Sequence, residues 1–472
     1  MIEKIVEKLK NKKIVILGFG KEGKSTYNFI RKYIGNVNIT ISDKKDVSDS
    51  ELLNGDINVN IISGDNYLNN LDDYDLIIKS PGISLNYLDS KYLDKIKNNI
   101  TSQLELLLEV NKNNIIGVTG TKGKSTTSSL IYEVLKDQGI DVILAGNIGV
   151  PVLDEISRYK DTTRLVIEMS SHQLEYIKES PHIGIILNLY QDHLDHSRTL
   201  EHYYENKMKM FEFQTKDDYA LYSGDNDTTE KILKELTNYN SFNAIKYDIR
   251  FNDSEKTKFT SSVRVKDKNI YIDDKLVYVD KKRNLIGDHN LKNIEFVMSI
   301  CDILNLDFNK AAETIYKFKP LEYRMEDLGV HNNIHFYCDT IATIPEATMN
   351  AISSIDNVDT LIFGGENRNT SYTDFINFLN NSSVKNLICM YDTGFIIKDK
   401  LDSKNKNVYF TRDLREAYSI ALKCTRPGST CVLSPAASSK DVFIDFQEKG
   451  SLFKALVNNE KSDIKEHSKS WI

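Results

Sequence analysis

Ile115-Ile116-Gly117-Val118-Thr119-Gly120-Thr121-Lys122-Gly123-Lys124-Ser125-Thr126-Thr127 is an apolar run that opens into a Gly-Lys-Ser-Thr turn and then into a helical pattern. Strand, glycine loop and helix start together make a phosphate cradle. Backbone N–H groups around Gly120 and Gly123 can converge on phosphate oxygens, and the helix N-terminus adds the positive end of its dipole. Lys124 supplies a point charge, and Ser125 or Thr126 reaches Mg²⁺. The common G-x-x-x-x-G-K-[ST] spacing needs glycine at 118, where this chain carries Val118. The stretch therefore reads as a P-loop subclass whose first glycine is Gly120. A chance glycine turn between a buried strand and a surface helix is the bland alternative. Lysine, hydroxyl residues and flanking pattern all agree against it, and the stretch predicts an α/β unit that binds ATP or GTP.

At 472 residues the chain is too long for one core and fits two to four domains. With 40% hydrophobic and 27% charged residues it reads as globular. A formal charge of −7, with both signs interspersed, argues against a nucleic-acid partner. Five cysteines, with no C-x-x-C and no metal-type spacing, read as free thiols in a reducing cytoplasm. The opening Met1-Ile-Glu-Lys-Ile-Val-Glu-Lys-Leu-Lys is amphipathic and charged, so neither a signal peptide nor a membrane span is expected.

Upstream of the P-loop, Lys13-Ile14-Val15-Ile16-Leu17-Gly18-Phe19-Gly20-Lys21-Glu22-Gly23 is a strand running into G-x-G-x-x-G. A second strand ends at Asp43, and Leu76-Ile77-Ile78-Lys79-Ser80 breaks at Pro81-Gly82. This spacing is that of a nucleotide-binding βαβ unit, although such glycines also serve plain helix–strand packing. A first domain is expected over 1–108 and a second over 109–318, with strands at 141–144, 164–168 and 183–188. Residues 258–280 suggest a hairpin excursion. A third α/β unit over 319–472 is expected to carry strands at 334–338, 359–363, 386–390 and 430–433.

Two strand ends beside the P-loop carry chemistry. Glu168 follows an apolar run, where a Mg²⁺ ligand of a P-loop enzyme belongs. Asn188-Leu189-Tyr190-Gln191-Asp192-His193-Leu194-Asp195-His196 gathers two acids and two histidines, a set that can bind a metal or position an acid.

In chain order, the P-loop, Gly146-Asn147-Ile148-Gly149, Glu168-Met169-Ser170-Ser171, Asp192-His193-Leu194-Asp195 and Gly287-Asp288-His289-Asn290-Leu291-Lys292-Asn293 resemble the motifs of the Mur ligases. These are ATP-dependent amide ligases of peptidoglycan precursor synthesis. The segments 320–326, 339–348 and 434–443 are most similar to the member that adds D-glutamate to UDP-N-acetylmuramoyl-L-alanine. The resemblance implies an α/β fold of three domains: a Rossmann-like UDP-binding domain, a central P-loop ATPase-like domain and a C-terminal Rossmann-like domain.

It also implies roles. Gly120, Thr121, Lys122, Gly123, Lys124, Ser125 and Thr126 would hold ATP, with Asn290 and Asn293 on the adenine side and Arg324 and Asp339 from the third domain. Ser125, Glu168 and His193 would serve Mg²⁺ at two sites, together with Lys207, which matches a lysine carbamylated in relatives. Gly18, Phe19, Gly20, Asp43, Ser80, Pro81 and Gly82 would hold a UDP-sugar rather than a dinucleotide. Asn147, Ser170, Gln173 and His193 would face the muramoyl-alanine, and Thr343, Arg368, Ser439 and Phe446 the amino acid. Lys124, Glu168, His193 and Lys207 form the implied catalytic set. The reaction would run through an acyl phosphate that an amine attacks, with His193 or Asp192 taking the amine proton. The expected partners are small molecules only, and the expected state is a monomer.

The chain departs from the family pattern at Ile341 and Ile344, where a lysine and an asparagine are usual. At Arg368 a lysine is common, and at His172 a phenylalanine is frequent. Arginine keeps the charge but grips a carboxylate bidentately. These changes bear on which amino acid is added, and a ligase for L-glutamate is the alternative within the class. A folylpolyglutamate-type ligase or a nucleotide sensor that makes no amide are the others.

Overall fold

Strands rich in Ile and Val are buried along their whole length where helices cover both sheet faces. Ile14–Leu17, Ile115–Thr119, Ile183–Ile186 and Asn386–Met390 all follow this rule. The computed structural model describes residues 1–147, 150–190, 199–236, 244–250, 261–367, 371–440 and 442–466.

The first sheet is parallel, in the order Val59–Ser63, Ile39–Asp43, Ile14–Leu17, Leu76–Lys79, Ile100–Thr101. Because the strands are parallel, the loops after Leu17, Asp43 and Lys79 share one carboxyl edge, and strand order reverses at Ile14–Leu17. Such a switch point is where open α/β sheets bind ligands.

The second sheet has nine strands, with the P-loop strand Ile115–Thr119 between Arg164–Glu168 and Ile183–Ile186. Val142–Gly146 lies beyond Arg164–Glu168, one to two residues later than expected. On the other side Tyr219–Ser223, Ile245–Arg250 and Ser261–Lys266 continue in parallel, and the hairpin Asn269–Ile272 with Lys275–Tyr278 closes the edge. Residues 261–278 are therefore an extension of the central sheet and not an excursion from it. Their backbone groups satisfy the edge that Ile245–Arg250 would otherwise expose.

The third sheet runs Glu326–His331, Ile334–Cys338, Thr430–Leu433, Val358–Phe363, Asn386–Met390, Asn407–Thr411, with only the first pair antiparallel.

The chain forms two compact units. One comprises Met1–Arg283 and His289–Phe318, the other Asn284–Asp288 and Lys319–Ile472. The first unit holds two sheets because one apolar cluster runs through both. It passes from Ile14 and Ile16 through Leu104, Leu106, Leu107 and Leu108 of the helix Gln103–Asn111 to Ile115, Leu165 and Ile167. Each fully buried leucine there contributes about 2 kcal/mol by removal from water. The second unit has its own clusters around Phe336, Ile388 and Phe453, and around Leu361, Phe363 and Phe375. All five cysteines are free, and among the described residues no helix is long and apolar enough to cross a membrane.

Candidate active site

The strand Ile115–Thr119 delivers Gly120 to the carboxyl edge of its sheet, where the chain turns through Gly123 into the helix Lys124–Asp137. Gly123 has φ +86°, and a Cβ on it would lie 2.6 Å from Asn293 Oδ1. Only glycine satisfies both the turn and this neighbour. Asn188, two residues past the adjacent strand Ile183–Ile186, shapes the loop. Its Oδ1 accepts from the N–H of Lys122 at 2.9 Å and of Thr121 at 3.2 Å, and its Nδ2 donates to Lys122 O at 3.0 Å. Lys124 Nζ donates to Gly120 O and Thr121 O, both at 3.0 Å. Ser125 is half-buried and Thr126 buried in the first helical turn. An anion here meets backbone donors, a helix dipole and an ammonium together. Asn290 and Asn293 stand buried on the helix Asp288–Ile303, with Asn293 Nδ2 donating to Asn290 Oδ1 at 3.1 Å.

Glu168 lies opposite Val118 in the sheet register and is only 2% exposed. Its Oε1 accepts from Asn147 Nδ2 at 2.7 Å, while Oε2 is buried with no hydrogen-bond partner among the described residues. A buried carboxylate oxygen left unpaired is costly, and a hard cation resolves it. The residues present thus fit Mg²⁺. Thr119 Oγ1 donates to Met169 O at 2.7 Å and ties the P-loop strand to this acid's loop. Lys207, buried on the helix Leu200–Glu212, donates to Gly120 O at 2.8 Å, with its Nζ 4.9 Å from the Tyr203 ring centre. His193, with Asp192, lies outside the described residues. Among the described residues no three His, Cys, Asp or Glu side chains form a metal site; of the residues expected to serve a metal, Ser125, Glu168 and Lys207 are described.

On the first sheet's edge, Phe19 N donates to Asp43 Oδ2 at 2.7 Å and Ser80 Oγ to Gly18 O at 2.8 Å. A Cβ on Gly23 would fall 2.0 Å from Gly18 O, so the third glycine lets the helix close on the loop. Pro81 and exposed Gly20 and Gly82 complete the rim. Ser170 caps the short helix Ser171–Leu174, and its N–H donates to Gln173 Oε1 at 3.0 Å.

In the second unit, Asp339 accepts from Ser434 Oγ at 2.8 Å and from Met325 N at 3.0 Å. Arg324 sits between Tyr323 and Met325, both in the left-handed region at φ +62° and +45°, a strain of the sort that clusters at ligand sites. Phe446 opens the helix Phe446–Val457, its ring 6.3 Å from that of Tyr323, and its carbonyl accepts from Thr340 Oγ1 at 2.8 Å. Ser439 is buried with Oγ unpartnered, and Thr343 is exposed in the loop before the helix Pro345–Ser354. Arg368 lies outside the described residues.

Burial raises the Asp339 carboxyl to about 7, against the lowering pull of Ser434, Met325 N–H and Arg324. A carboxyl whose folded value exceeds its unfolded one favours folding at low pH, and loses that contribution as pH climbs from about 4 through about 7. Asp339→Asn cannot titrate. Its melting temperature should therefore gain on the wild type by a few degrees between acidic and mildly alkaline buffer. A difference that stays constant with pH would remove this assignment.

Sequence reading missed Asn188 and Thr119 as loop-shaping residues. The available signal was position, since Thr119 ends the P-loop strand and Asn188 follows the neighbouring strand Ile183–Ile186 by two residues.

Residues 118–301 match the Mur ligase middle domain, and residues 12–100 the MurD-like N-terminal domain of Mur ligases. A UDP-N-acetylmuramoylalanine–D-glutamate ligase of Clostridioides difficile is 32% identical over 467 residues, covering 96% of this chain and 100% of the relative. The chain belongs to the Mur ligase family. A ligase of the same name from Acetivibrio thermocellus is 29% identical, with 96% and 97% covered. The solved structure of UDP-N-acetylmuramate–alanine ligase MurC from Thermotoga maritima shares the fold at a TM-score of 0.57 and 19% identity, covering 96% of this chain and all of that one. This Mur ligase is an ATP-dependent ligase of α/β fold, and its similarities lie with the MurD branch.

Proposed function

We propose that this Mur ligase joins D-glutamate to UDP-N-acetylmuramoyl-L-alanine, releasing ADP and phosphate through an acyl phosphate of the alanine carboxyl. One observation carries the reading. The P-loop, the unpartnered Oε2 of Glu168 and the Lys207 ammonium on Gly120 O meet at one sheet edge, in a chain whose relatives bear that activity in their names. A carboxylate is a poor acyl donor, and ATP with Mg²⁺ supplies the phosphoryl group and the charge neutralisation that activate it. Such a transfer asks the protein for positioning and electrostatics rather than for a covalent nucleophile.

Lys124 and the loop N–H groups hold phosphates, and Ser125 and Glu168 hold one Mg²⁺. Lys207 serves a second as its carbamate. Asn147 fixes Glu168, Asn290 and Asn293 take the adenine side, and Arg324 and Asp339 complete the nucleotide contacts. The first sheet's edge, from Gly18 to Gly82, receives the UDP, while Ser170 and Gln173 receive the muramoyl-alanine. Thr343, Arg368, Ser439 and Phe446 select glutamate, and the buried, unpartnered Ser439 Oγ supports a ligand there. His193 or Asp192 accepts the amine proton. In this reading the domains run 1–108, 109–318 and 319–472, in a cytoplasmic monomer without nucleic-acid or membrane partners.

The test is phosphate release with ATP, Mg²⁺ and UDP-N-acetylmuramoyl-L-alanine, with D- and L-glutamate in parallel. Release should require glutamate and favour the D form by about a hundredfold or more, as a site built on paired polar contacts allows. Release without either acceptor or donor would sink the ligase reading, and a preference for L-glutamate would reverse the stereochemistry.

A further inference from the structure

Glu22 lies between the second and third glycines of the first sheet's G-x-G-x-x-G loop, in the first turn of the helix Lys21–Tyr33. An acid there complements the helix dipole, yet its carboxylate serves the other sheet. Glu22 Oε1 accepts from Gln173 Nε2 at 2.8 Å, across 151 positions of chain. The amide of Gln173 is thereby fixed at both ends, because its Oε1 accepts from Ser170 N at 3.0 Å and from Ser170 Oγ at 3.1 Å. With both ends engaged, the amide has one orientation.

The backbone of Glu22 is held as well, its carbonyl accepting from Gln103 Nε2 at 2.8 Å. Gln103 starts the helix whose leucines join the two sheets. Lys79, 4% exposed and next to Ser80, lies 3.3 Å from Glu175 Oε2 and reinforces the same seam. Burial pushes the Glu22 carboxyl up and the Lys79 ammonium down, and the attraction of opposite charge works against both shifts.

We infer that Glu22 is a positioning residue that sets the distance between the diphosphate end and the muramoyl-alanine end of the substrate site. This rests on the reading of those two ends given above. A ligand anchored at two points gains from the second only if their spacing matches its own length, and small misplacements are costly. Glu22 joins the loop at one end directly to the amide at the other.

The experiment measures binding of UDP and of UDP-N-acetylmuramoyl-L-alanine by calorimetry, with steady-state kinetics beside it. UDP alone touches only the glycine-loop end. Glu22→Ala should bind UDP within about twofold of wild type but the full substrate about tenfold more weakly, with KM for that substrate raised and KM for ATP unchanged. Glu22→Gln keeps the acceptor oxygen and should restore most of the affinity. Gln173→Ala cuts the link from the other side, and the double variant should be no weaker than Gln173→Ala. Equal loss of both ligands, loss of neither, or additive losses in the double variant would overturn the inference. Wild-type protein that binds neither ligand would instead overturn the UDP-substrate reading, and the inference with it.

Discussion

Lys207→Ala should lower kcat for glutamate-dependent phosphate release by about two to three orders of magnitude, the loss seen when one preorganised charge is taken from a transition state. The lysine is 2% exposed, and its Nζ donates to the carbonyl of Gly120 at 2.8 Å, at the floor of the phosphate cradle. An ammonium has donors only. Reaction with CO₂ would change this: the neutral amine would bond to the carbon, a proton would leave, and the product would be an N-carboxylate with two acceptor oxygens. One N–H would remain for Gly120 O. A side chain so modified would be a ligand for a hard cation.

Rescue chemistry separates the two forms. If the carbamate is the working species, acetate or formate should return a measurable part of the activity of Lys207→Ala, and methylamine should not. Rescue by methylamine would mean that the ammonium itself acts. Wild-type rates in the unrescued variant would remove Lys207 from the site.

Local chemistry was the part of this protein most legible in its sequence. The P-loop, the acid at the end of Arg164–Glu168 and the glycines after Ile14–Leu17 are each contained in a few consecutive residues, and each sits where it was expected. Strands with weaker local signals escaped. Asn407–Thr411 is an edge strand led in by Lys404-Asn405-Lys406, so its burial depends on the neighbouring strand and not on alternation within itself. Tyr219–Ser223 and Ile245–Arg250 extend the central sheet and turn the 261–278 segment from an excursion into part of it.

The least legible features are contacts between distant residues. Glu22 occupies a variable position of a glycine motif, and nothing local marks it as the partner of Gln173. Lys207 is one lysine among many, made unusual only by the burial of its helix against the P-loop strand. Asn147 also donates its amide to Glu168, a link that neither residue's neighbours in sequence foretell.

Glu168→Gln is the sharpest probe of the centre because stability and activity should move in opposite directions. In the folded chain Glu168 Oε1 is satisfied by Asn147, and Oε2 is buried with no donor. Replacing a carboxylate whose Oε2 is buried without a hydrogen-bond donor lowers the cost of burying the group, so without Mg²⁺ the variant should melt at or above the wild-type temperature. Mg²⁺ with ATP should then raise the melting temperature of the wild type more than that of the variant, since a ligand stabilises only the fold that binds it. The variant's kcat should fall by about a thousandfold, with an amide in place of a cation-binding oxygen. Asn147→Ala leaves the charge but frees its orientation, and should weaken Mg²⁺ binding by about ten- to a hundredfold, as loss of an outer-sphere partner does. A Glu168→Gln protein that is less stable than wild type yet catalytically intact would identify Glu168 as a packing residue, and the Mg²⁺ site would have to be sought elsewhere.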